Sequence, residues 1–217
     1  MQSLEDLAGS LVTVGQRLDA CGWVRGTSGN FSAVISREPL RLAMTPSAAA
    51  KGALSAAQIL EIDAGATGVG DRPGTPSAEA LLHVRLVGLR HAGAVLHTHS
   101  IWSTMLSDLH GADRGLAIEG YEMLKGLEGV TSHEHREWVP IVENDQDMAR
   151  LSDVVQRTLE EHPAAHGVLI RRHGLYTWGD DLAMAMRHVE ILEFLFEAVA
   201  QTRLAQLAPA ARSPTID

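Results

Sequence analysis

The sequence has one cysteine, few basic residues and no long apolar run, and each shortage excludes a class of protein. A lone cysteine, Cys21, excludes an internal disulfide and is typical of a reducing compartment. The 18 basic residues are outnumbered by 27 acidic ones, and the net charge of −9 argues against a nucleic-acid binder, which needs a basic face. No apolar run reaches the length of a membrane span, and residues 1–7 carry no basic leader. We therefore expect a cytoplasmic protein with neither nucleic acid nor a membrane as partner.

What is present is typical of a globular domain. Hydrophobic residues make up 45% of the 217 residues and charged residues 21%, enough apolar material for a substantial core. We expect a single domain over residues 1–207, a flexible tail over residues 208–217, and a buried packing role for Cys21.

Helical and strand periodicities alternate along the chain, with several hairpins among them. This mixture predicts an α/β fold, a three-layer α/β/α sandwich with a mixed, largely antiparallel central sheet. The predicted helices cover 3–20, a short turn at 55–58, a segment running from 76 past 87, then 101–109, 145–161 and 181–203. The predicted strands cover 31–36, 40–44, 60–63, 94–99, an edge strand at 138–142, and 167–172. A loop is predicted at 65–76 and a turn at 174–179, and a glycine-punctuated stretch follows the helix at 101–109 up to residue 129.

Two histidines one residue apart end an apolar strand, Ala94-Val-Leu-His97-Thr-His99. Side chains two positions apart on a strand share a face, so the two imidazoles point the same way. His173 stands in a similar setting, after the apolar run 167–170. Three neutral imidazoles are typical of an open metal site that leaves one position for substrate. The alternative is that these histidines are ordinary hydrogen-bonded strand residues.

Three turns could bind an anion through backbone N–H groups and hydroxyls. They are Gly26-Thr-Ser-Gly29-Asn30, Thr45-Pro-Ser47 with Lys51 nearby, and Pro76-Ser77-Ala-Glu79. In the third turn, Ser77 is expected at a helix start, where the helix dipole favours phosphate. Each turn alone is equally compatible with a purely structural role, and they form one site only if the fold brings them together.

Two acids could take part in proton transfer. Glu79 is expected in the first turn of its helix, where it is either a partner of the helix dipole or a catalytic carboxylate. Glu122 lies among apolar residues and glycines, so it is either a proton shuttle whose pKa burial has raised or a surface residue paired with Lys125. The sequence leaves both choices open.

Five of these segments, in this order, resemble the class II aldolase/adducin-head family: 26–30, 44–47, 76–79, 97–100 and 171–179. The resemblance extends from residue 4 to about residue 203. It implies an α/β/α fold, one zinc ion (Zn²⁺) per subunit held by three histidines, a small phosphorylated ketose as substrate, and a homotetramer with its sites at subunit interfaces.

Two further segments, 120–126 and 139–144, resemble the dehydratases of that family and not its sugar-phosphate aldolases. The resemblance therefore implies zinc-dependent loss of water from a phosphorylated ketose with a methylthio end. An aldolase or epimerase, or a non-catalytic module like the adducin head, is the alternative. The implied site residues are His97, His99 and His173 as metal ligands, Glu122 and Glu79 as acid or base, and Gly29, Asn30, Ser47, Lys51 and Ser77 around the phosphate.

Overall fold

A sheet of nine strands organises residues 3–207, which are the residues that the computed structural model of the chain describes. The predicted tail, 208–217, lies outside them. The strands are β1 Asn30–Arg37, β2 Leu40–Met44, β3 Leu60–Asp63, β4 Gly68–Val69, β5 Ala94–Thr98, β6 Gly115–Ile118, β7 Glu137–Val142, β8 Gly167–Ile170 and β9 Gly174–Gly179. Their order across the sheet is β4-β3-β2-β1-β5-β9-β8-β7-β6. Neighbouring strands run antiparallel except β7 and β8, which are parallel.

Within residues 3–207, five α-helices accompany the sheet: α1 Leu4–Ala20, α2 Ala80–Arg90, α3 Ile101–Leu109, α4 Met148–Glu161 and α5 Leu182–Leu207. Side-chain caps explain several starts. Ser3 and Asp6 form a capping box on α1, and the carboxylate of Asp147 accepts from the first N–H groups of α4. None of the described helices is both long and apolar enough to span a bilayer.

The helices cover both faces of the sheet. Leu86 of α2 and Val155 of α4 pack with Val95 on one face, whereas Leu11 of α1 and Val189 of α5 pack with Leu96 on the other. Neighbouring residues of β5 thus contribute to opposite cores, as strand alternation requires. Helix α3 lies on the face of the sheet that α1 and α5 cover, and its Leu106 packs into the core there. The predicted three-layer α/β/α architecture with a mixed, largely antiparallel sheet is confirmed.

Two strand predictions are wrong. The turn expected at 174–179 is the buried strand β9, which pairs with both β5 and β8; the glycines at its two ends resembled turn signals. The edge strand expected at 138–142 is internal, because β6 pairs with it and was not recognised within the glycine-punctuated stretch. Pro140 is accommodated in this internal strand, where its partner in β6 is Gly115.

Two local predictions are also wrong. Helix α2 begins at Ala80, four residues later than expected, so Ser77 precedes it and Glu79 is its N-cap residue. The Cys21 thiol is exposed, because Cys21 follows the last turn of α1 instead of packing inward.

Candidate metal and substrate site

Three histidines meet where β5 ends and where the turn between β8 and β9 returns beside it. The Nε2 atom of His97 lies 2.8 Å from that of His99 and 3.3 Å from that of His173. One nitrogen from each ring lies within 4.8 Å of the other two, an arrangement that could hold a metal ion. The predicted strand spacing explains the His97 and His99 pair, and the β5–β9 pairing supplies the third ring.

The chemistry of these rings fits a metal ion. The Nδ1 atom of His97 donates to the carbonyl oxygen of Leu175 at 2.9 Å, which leaves the Nε2 lone pair facing the cluster. Burial, followed by the neighbouring imidazoles, holds the pKa of His97 well below its ordinary value. Burial likewise lowers the pKa of His99 to about 4. Nitrogen ligands of a tetrahedral ion lie about 3.3 Å apart, close to the spacing found here.

Strand β9 also fixes the orientation of His97. The Tyr176 ring stacks on the His97 imidazole with centroids 3.8 Å apart and planes 9° apart. Both side chains are fully buried. Burial and the nearby Glu79 carboxylate raise the pKa of Tyr176 well above its ordinary value, so its hydroxyl stays protonated. The imidazole therefore has a rigid support on one face.

The carboxylate of Glu79 lies beside the three histidines. Its Oε1 atom is 3.3 Å from Nε2 of His173, and its Oε2 atom is 3.5 Å from Nε2 of His97. The Glu79 side chain is 15% exposed and reaches the cleft from the residue that precedes α2. Of the two acids that the sequence singled out, this one can act on a molecule bound next to the histidines.

A chain of hydrogen bonds leads from Glu79 into the protein interior. The Nδ2 atom of Asn30 donates to Oε2 of Glu79 at 2.6 Å and to the Ser77 hydroxyl at 3.1 Å. The Oδ1 atom of Asn30 lies 2.5 Å from Nε2 of His83, whose Nδ1 atom lies 2.8 Å from the Ser32 hydroxyl. Ser32 and His83 are fully buried.

The three candidate anion-binding turns converge on one cleft of about 730 Å³. The backbone N–H of Ser47 donates to the carbonyl oxygen of Thr75 at 2.9 Å, which joins the second turn to the third. The predicted residues that line the cleft are Gly29, Asn30, Ser47, Lys51, Ser77, Glu79, His99 and His173. The cleft therefore places hydroxyl, amide and ammonium donors beside the histidines.

Gly29 has the backbone conformation that its turn needs. Its φ is +71°, and a methyl group on its Cα would lie 2.7 Å from the His97 carbonyl oxygen and 2.6 Å from Val24. Only glycine accommodates both the left-handed φ and this close approach. The first turn is thus held directly against the strand that carries the histidines.

Lys51 is a buried cation at the same cleft. Its Nζ atom donates to the carbonyl oxygens of Thr27 at 3.0 Å and Ala49 at 2.6 Å. The residue is 1% exposed, and burial lowers the pKa of its ammonium group to about 8. Its two carbonyl contacts join the first turn to the second, and its charge faces the cleft.

Two cleft residues hold strained backbone. Ala48 and Arg172 have φ values of +56° and +55°, in the left-handed region that side chains disfavour. Both line the cleft, and Arg172 immediately precedes His173. Such strain costs about 1–3 kcal/mol and tends to occur where a site requires one geometry.

Glu122 lies away from this cleft in the described chain. Its side chain is 69% exposed and pairs with Lys125, with His133 at 3.9 Å. The Lys125 ammonium, its main partner, lowers the pKa of Glu122. Of the two alternatives for Glu122, the single chain therefore shows the surface residue paired with Lys125, because the side chain of Glu122 points outward from the 3-10 turn at 122–126.

Several residues in or behind the cleft were not recognised from the sequence. His83 lies behind the cleft against Asn30, and only its spacing could have indicated it, because it is four residues after Glu79, one helical turn from that acid. Thr104, Asn144, Gln146 and Met148 line the cleft. The last three lie close together at 144–148, whereas Thr104 is distant in the sequence, so only the fold shows that all four line one cleft.

Known proteins are similar to this chain over most of its length. Residues 9–200 match the model of the family described as Class II Aldolase and Adducin N-terminal domain. The methylthioribulose-1-phosphate dehydratase of Pseudomonas fluorescens (strain Pf0-1) is 45% identical over 201 residues, 92% of this chain and 94% of that protein. The protein of the same name from Pseudomonas aeruginosa (strain UCBPP-PA14) is 46% identical over 195 residues, 89% of this chain and 93% of that protein.

Solved structures share the fold at lower identity. The L-fuculose-1-phosphate aldolase of Thermus thermophilus superimposes with a TM-score of 0.74 at 22% identity, covering 94% of this chain and all of that one. A sugar-phosphate aldolase from Thermotoga maritima gives a TM-score of 0.64 at 16% identity, with coverage of 94% and 97%. At these identities the likeness concerns the fold alone.

Proposed function

Because the chain belongs to the class II aldolase and adducin N-terminal domain family, we propose that it is a lyase that removes water from 5-methylthioribulose 1-phosphate. The product is 2,3-diketo-5-methylthiopentyl 1-phosphate, and the reaction is a step of methionine salvage. The observation that carries this proposal is the 45% identity with dehydratases of that name over 92% of the chain. Structures of aldolases, at 22% identity or less, support only the fold.

We propose Zn²⁺, one ion per subunit, on His97, His99 and His173. The support is the convergence of their Nε2 atoms and the lowered pKa values of His97 and His99, which leave both imidazoles neutral. When bound there, the ion supplies Lewis acidity that polarises the substrate carbonyl and acidifies the neighbouring C–H bond. The intact cluster also argues against a non-catalytic module.

The cleft binds the phosphate group of the substrate at the end formed by the three turns. Ser47 and Ser77 offer hydroxyl donors, and the backbone of Gly29 approaches closely because it has no side chain. Lys51 offers its buried charge, and Asn30 keeps the neighbouring acid in place. A phosphate anchored here sets the register of the reacting carbons against the histidines, which reduces the entropic cost of the reaction.

The two acids divide the proton transfers. Net loss of water removes the proton on C3 and the hydroxyl on C4, after which the enol product becomes the 2,3-diketone. Within one chain, Glu79 is the carboxylate beside the substrate space, and we propose that it receives or holds a proton there. Glu122 protonates the leaving C4 hydroxyl, for which it must come from a neighbouring subunit because it does not line the cleft of its own chain.

The proposed assembly is a homotetramer. Helix α3 exposes three apolar side chains on one face, Ile101, Met105 and Leu109, and two of them are 58% exposed. Leu204 and Leu207 of α5 continue this surface, and a depression of about 670 Å³ lies between the two helices. An apolar surface of this kind, close to the cleft, supports contact with a second copy of the chain. We place the assembly in the cytoplasm, where an exposed thiol such as Cys21 stays reduced.

Mass spectrometry of the product tests this function directly. Purified enzyme loaded with zinc is incubated with 5-methylthioribulose 1-phosphate, and the expected product is lighter by one water, with no product from His97→Ala. Release of dihydroxyacetone phosphate and an aldehyde would assign an aldolase instead. An unchanged substrate would overturn the dehydratase proposal.

A further inference from the structure

We propose that His83, which touches neither the substrate space nor the three clustered histidines, is a positioning residue that sets the orientation of the Asn30 amide and thereby holds Glu79 in its working position. This inference rests on the proposed function, because it gives Glu79 a task in the reaction. His83 belongs to α2, and its imidazole bridges β1 through Ser32 and Asn30.

The donors and acceptors along this chain can be assigned by elimination. An ionised carboxylate only accepts hydrogen bonds, so the group of Asn30 that lies 2.6 Å from Glu79 must be its NH₂. The Oδ1 atom of Asn30 therefore faces His83 and accepts at 2.5 Å. It follows that Nε2 of His83 carries the proton.

The other ring nitrogen completes the assignment. With the proton on Nε2, the Nδ1 atom of neutral His83 is an acceptor, and the Ser32 hydroxyl donates to it at 2.8 Å. Neutrality follows from complete burial, which lowers the pKa of His83 to about 3. Every polar atom between Ser32 and Glu79 then has a partner of the right kind.

The opposite tautomer would disturb the site. If Nδ1 carried the proton, Nε2 would present a lone pair to Asn30, and the amide would turn to donate to it. Its oxygen would then face the Glu79 carboxylate at 2.6 Å, where two acceptors repel each other. Glu79 would move, and with it the contacts at 3.3 Å and 3.5 Å to the clustered histidines. His83 prevents this because it offers a donor on the correct side.

The decisive comparison uses two replacements of similar size. His83→Gln keeps an N–H for Asn30 and an oxygen for Ser32, whereas His83→Leu keeps neither. We expect kcat of the dehydration to fall about tenfold to a hundredfold in His83→Leu, with KM changed little, because a displaced catalytic group costs rate more than binding. His83→Gln should retain kcat to within about threefold. Thermal unfolding and metal content are measured for both, so that only folded, metal-loaded protein is compared.

A double-mutant cycle tests whether His83 acts through Asn30. In an Asn30→Ala background the amide is gone, so His83→Leu should lower kcat no further. Additive losses would overturn the inference, and so would a folded, metal-loaded His83→Leu enzyme with wild-type kcat. Failure of the wild-type enzyme to release water would instead overturn the proposed function, so the two failures are distinguishable.

A second measurement is made on the wild-type enzyme, and a variant serves only to assign the signal. Correlation spectra of ¹⁵N-histidine-labelled wild-type enzyme identify which ring nitrogen of each histidine carries a proton. The His83 signal is assigned by its absence in His83→Gln. The inference requires the proton on Nε2, and a proton on Nδ1 would overturn it.

Discussion

The hydroxyl of Thr98 donates a 2.9 Å hydrogen bond to the carboxyl group of Glu193, which is buried in helix α5 behind the histidine-bearing strand. Thr98 lies between His97 and His99, and strand alternation turns it toward the opposite face of the sheet. A carboxyl group thus lies within the core that supports the candidate metal site from behind.

The Glu193 carboxyl makes stability depend on pH. Burial raises its pKa to about 7, above the value near 4.5 of the unfolded chain. Below about pH 4.5 Glu193 is protonated in both the folded and the unfolded chain, so its ionisation does not lower the free energy of unfolding. As the pH rises to 7, Glu193 ionises in the unfolded chain while it stays largely protonated in the folded one. The free energy of unfolding therefore falls by on the order of 3 kcal/mol.

We therefore expect Glu193→Gln to be more stable than wild type at pH 8 and to differ little from it near pH 4.5. Urea unfolding at both pH values, at one fixed free zinc concentration, measures the difference. Glu161→Gln, at the exposed end of α4 and away from Glu193, is the matched control and should show no such pH dependence. An equal effect of Glu193→Gln at both pH values would contradict the prediction.

The stacked Tyr176 ring should strengthen metal binding. We expect Tyr176→Leu to weaken zinc affinity by about tenfold to a hundredfold, because the His97 imidazole loses the support that orients it. Tyr176→Phe keeps the ring and should retain the affinity. Competition with a chromophoric chelator measures both variants. Equal affinities for the Leu and Phe variants would show that the stack does not orient the ligand.

The two acids should be separable from metal binding. We expect Glu79→Gln and Glu122→Gln each to lower kcat by about a hundredfold or more, because each removes a proposed proton-transfer group, while zinc content stays at one ion per subunit. Rates come from single-turnover mass spectrometry and zinc from elemental analysis. Normal turnover in either variant would remove that residue from the mechanism and leave the proton transfers to the other.

The limits of sequence reasoning are visible at these same residues. His97 and His99 could be recognised because strand alternation is local, and His173 because it ends a similar apolar run. The bond from Asn30 to Ser77 spans 47 positions, so no local pattern could reveal it. The sequence could not decide between the two alternatives for Glu122, because burial depends on what the fold, or a second subunit, packs against its turn. His83 was overlooked because its partners lie on another element.

The exposed face of α3 should be the contact between subunits. We expect Leu109→Asp to reduce the proposed tetramer to smaller species, because it places a charge within the proposed apolar contact. Arg157→Asp, at an exposed position of α4, introduces the same side chain elsewhere and should leave the assembly intact. Light scattering coupled to size-exclusion chromatography gives both masses. An unchanged mass for Leu109→Asp would place the contact on another surface.

A site shared between subunits should be restored by mixing two inactive variants. Glu122→Gln keeps the three histidines, and His97→Ala keeps Glu122, so neither variant alone forms a complete site in the proposed homotetramer. When the two chains are co-expressed with different tags and assemble at random, about a quarter of the sites combine intact histidines with an intact neighbouring Glu122. We therefore expect doubly tagged tetramers to recover up to about a quarter of wild-type activity.

The matched control for this mixing experiment is the pair Glu79→Gln and His97→Ala. Glu79 and His97 lie 3.5 Å apart in the same chain, so every mixed site still lacks one of them. This pair should stay inactive, whereas the pair with Glu122→Gln recovers activity. If the Glu122→Gln pair also stayed inactive in intact tetramers, Glu122 would not be supplied by a neighbouring subunit. Because Glu122 does not line the cleft of its own chain, that result would leave Glu79 as the acid that handles both protons.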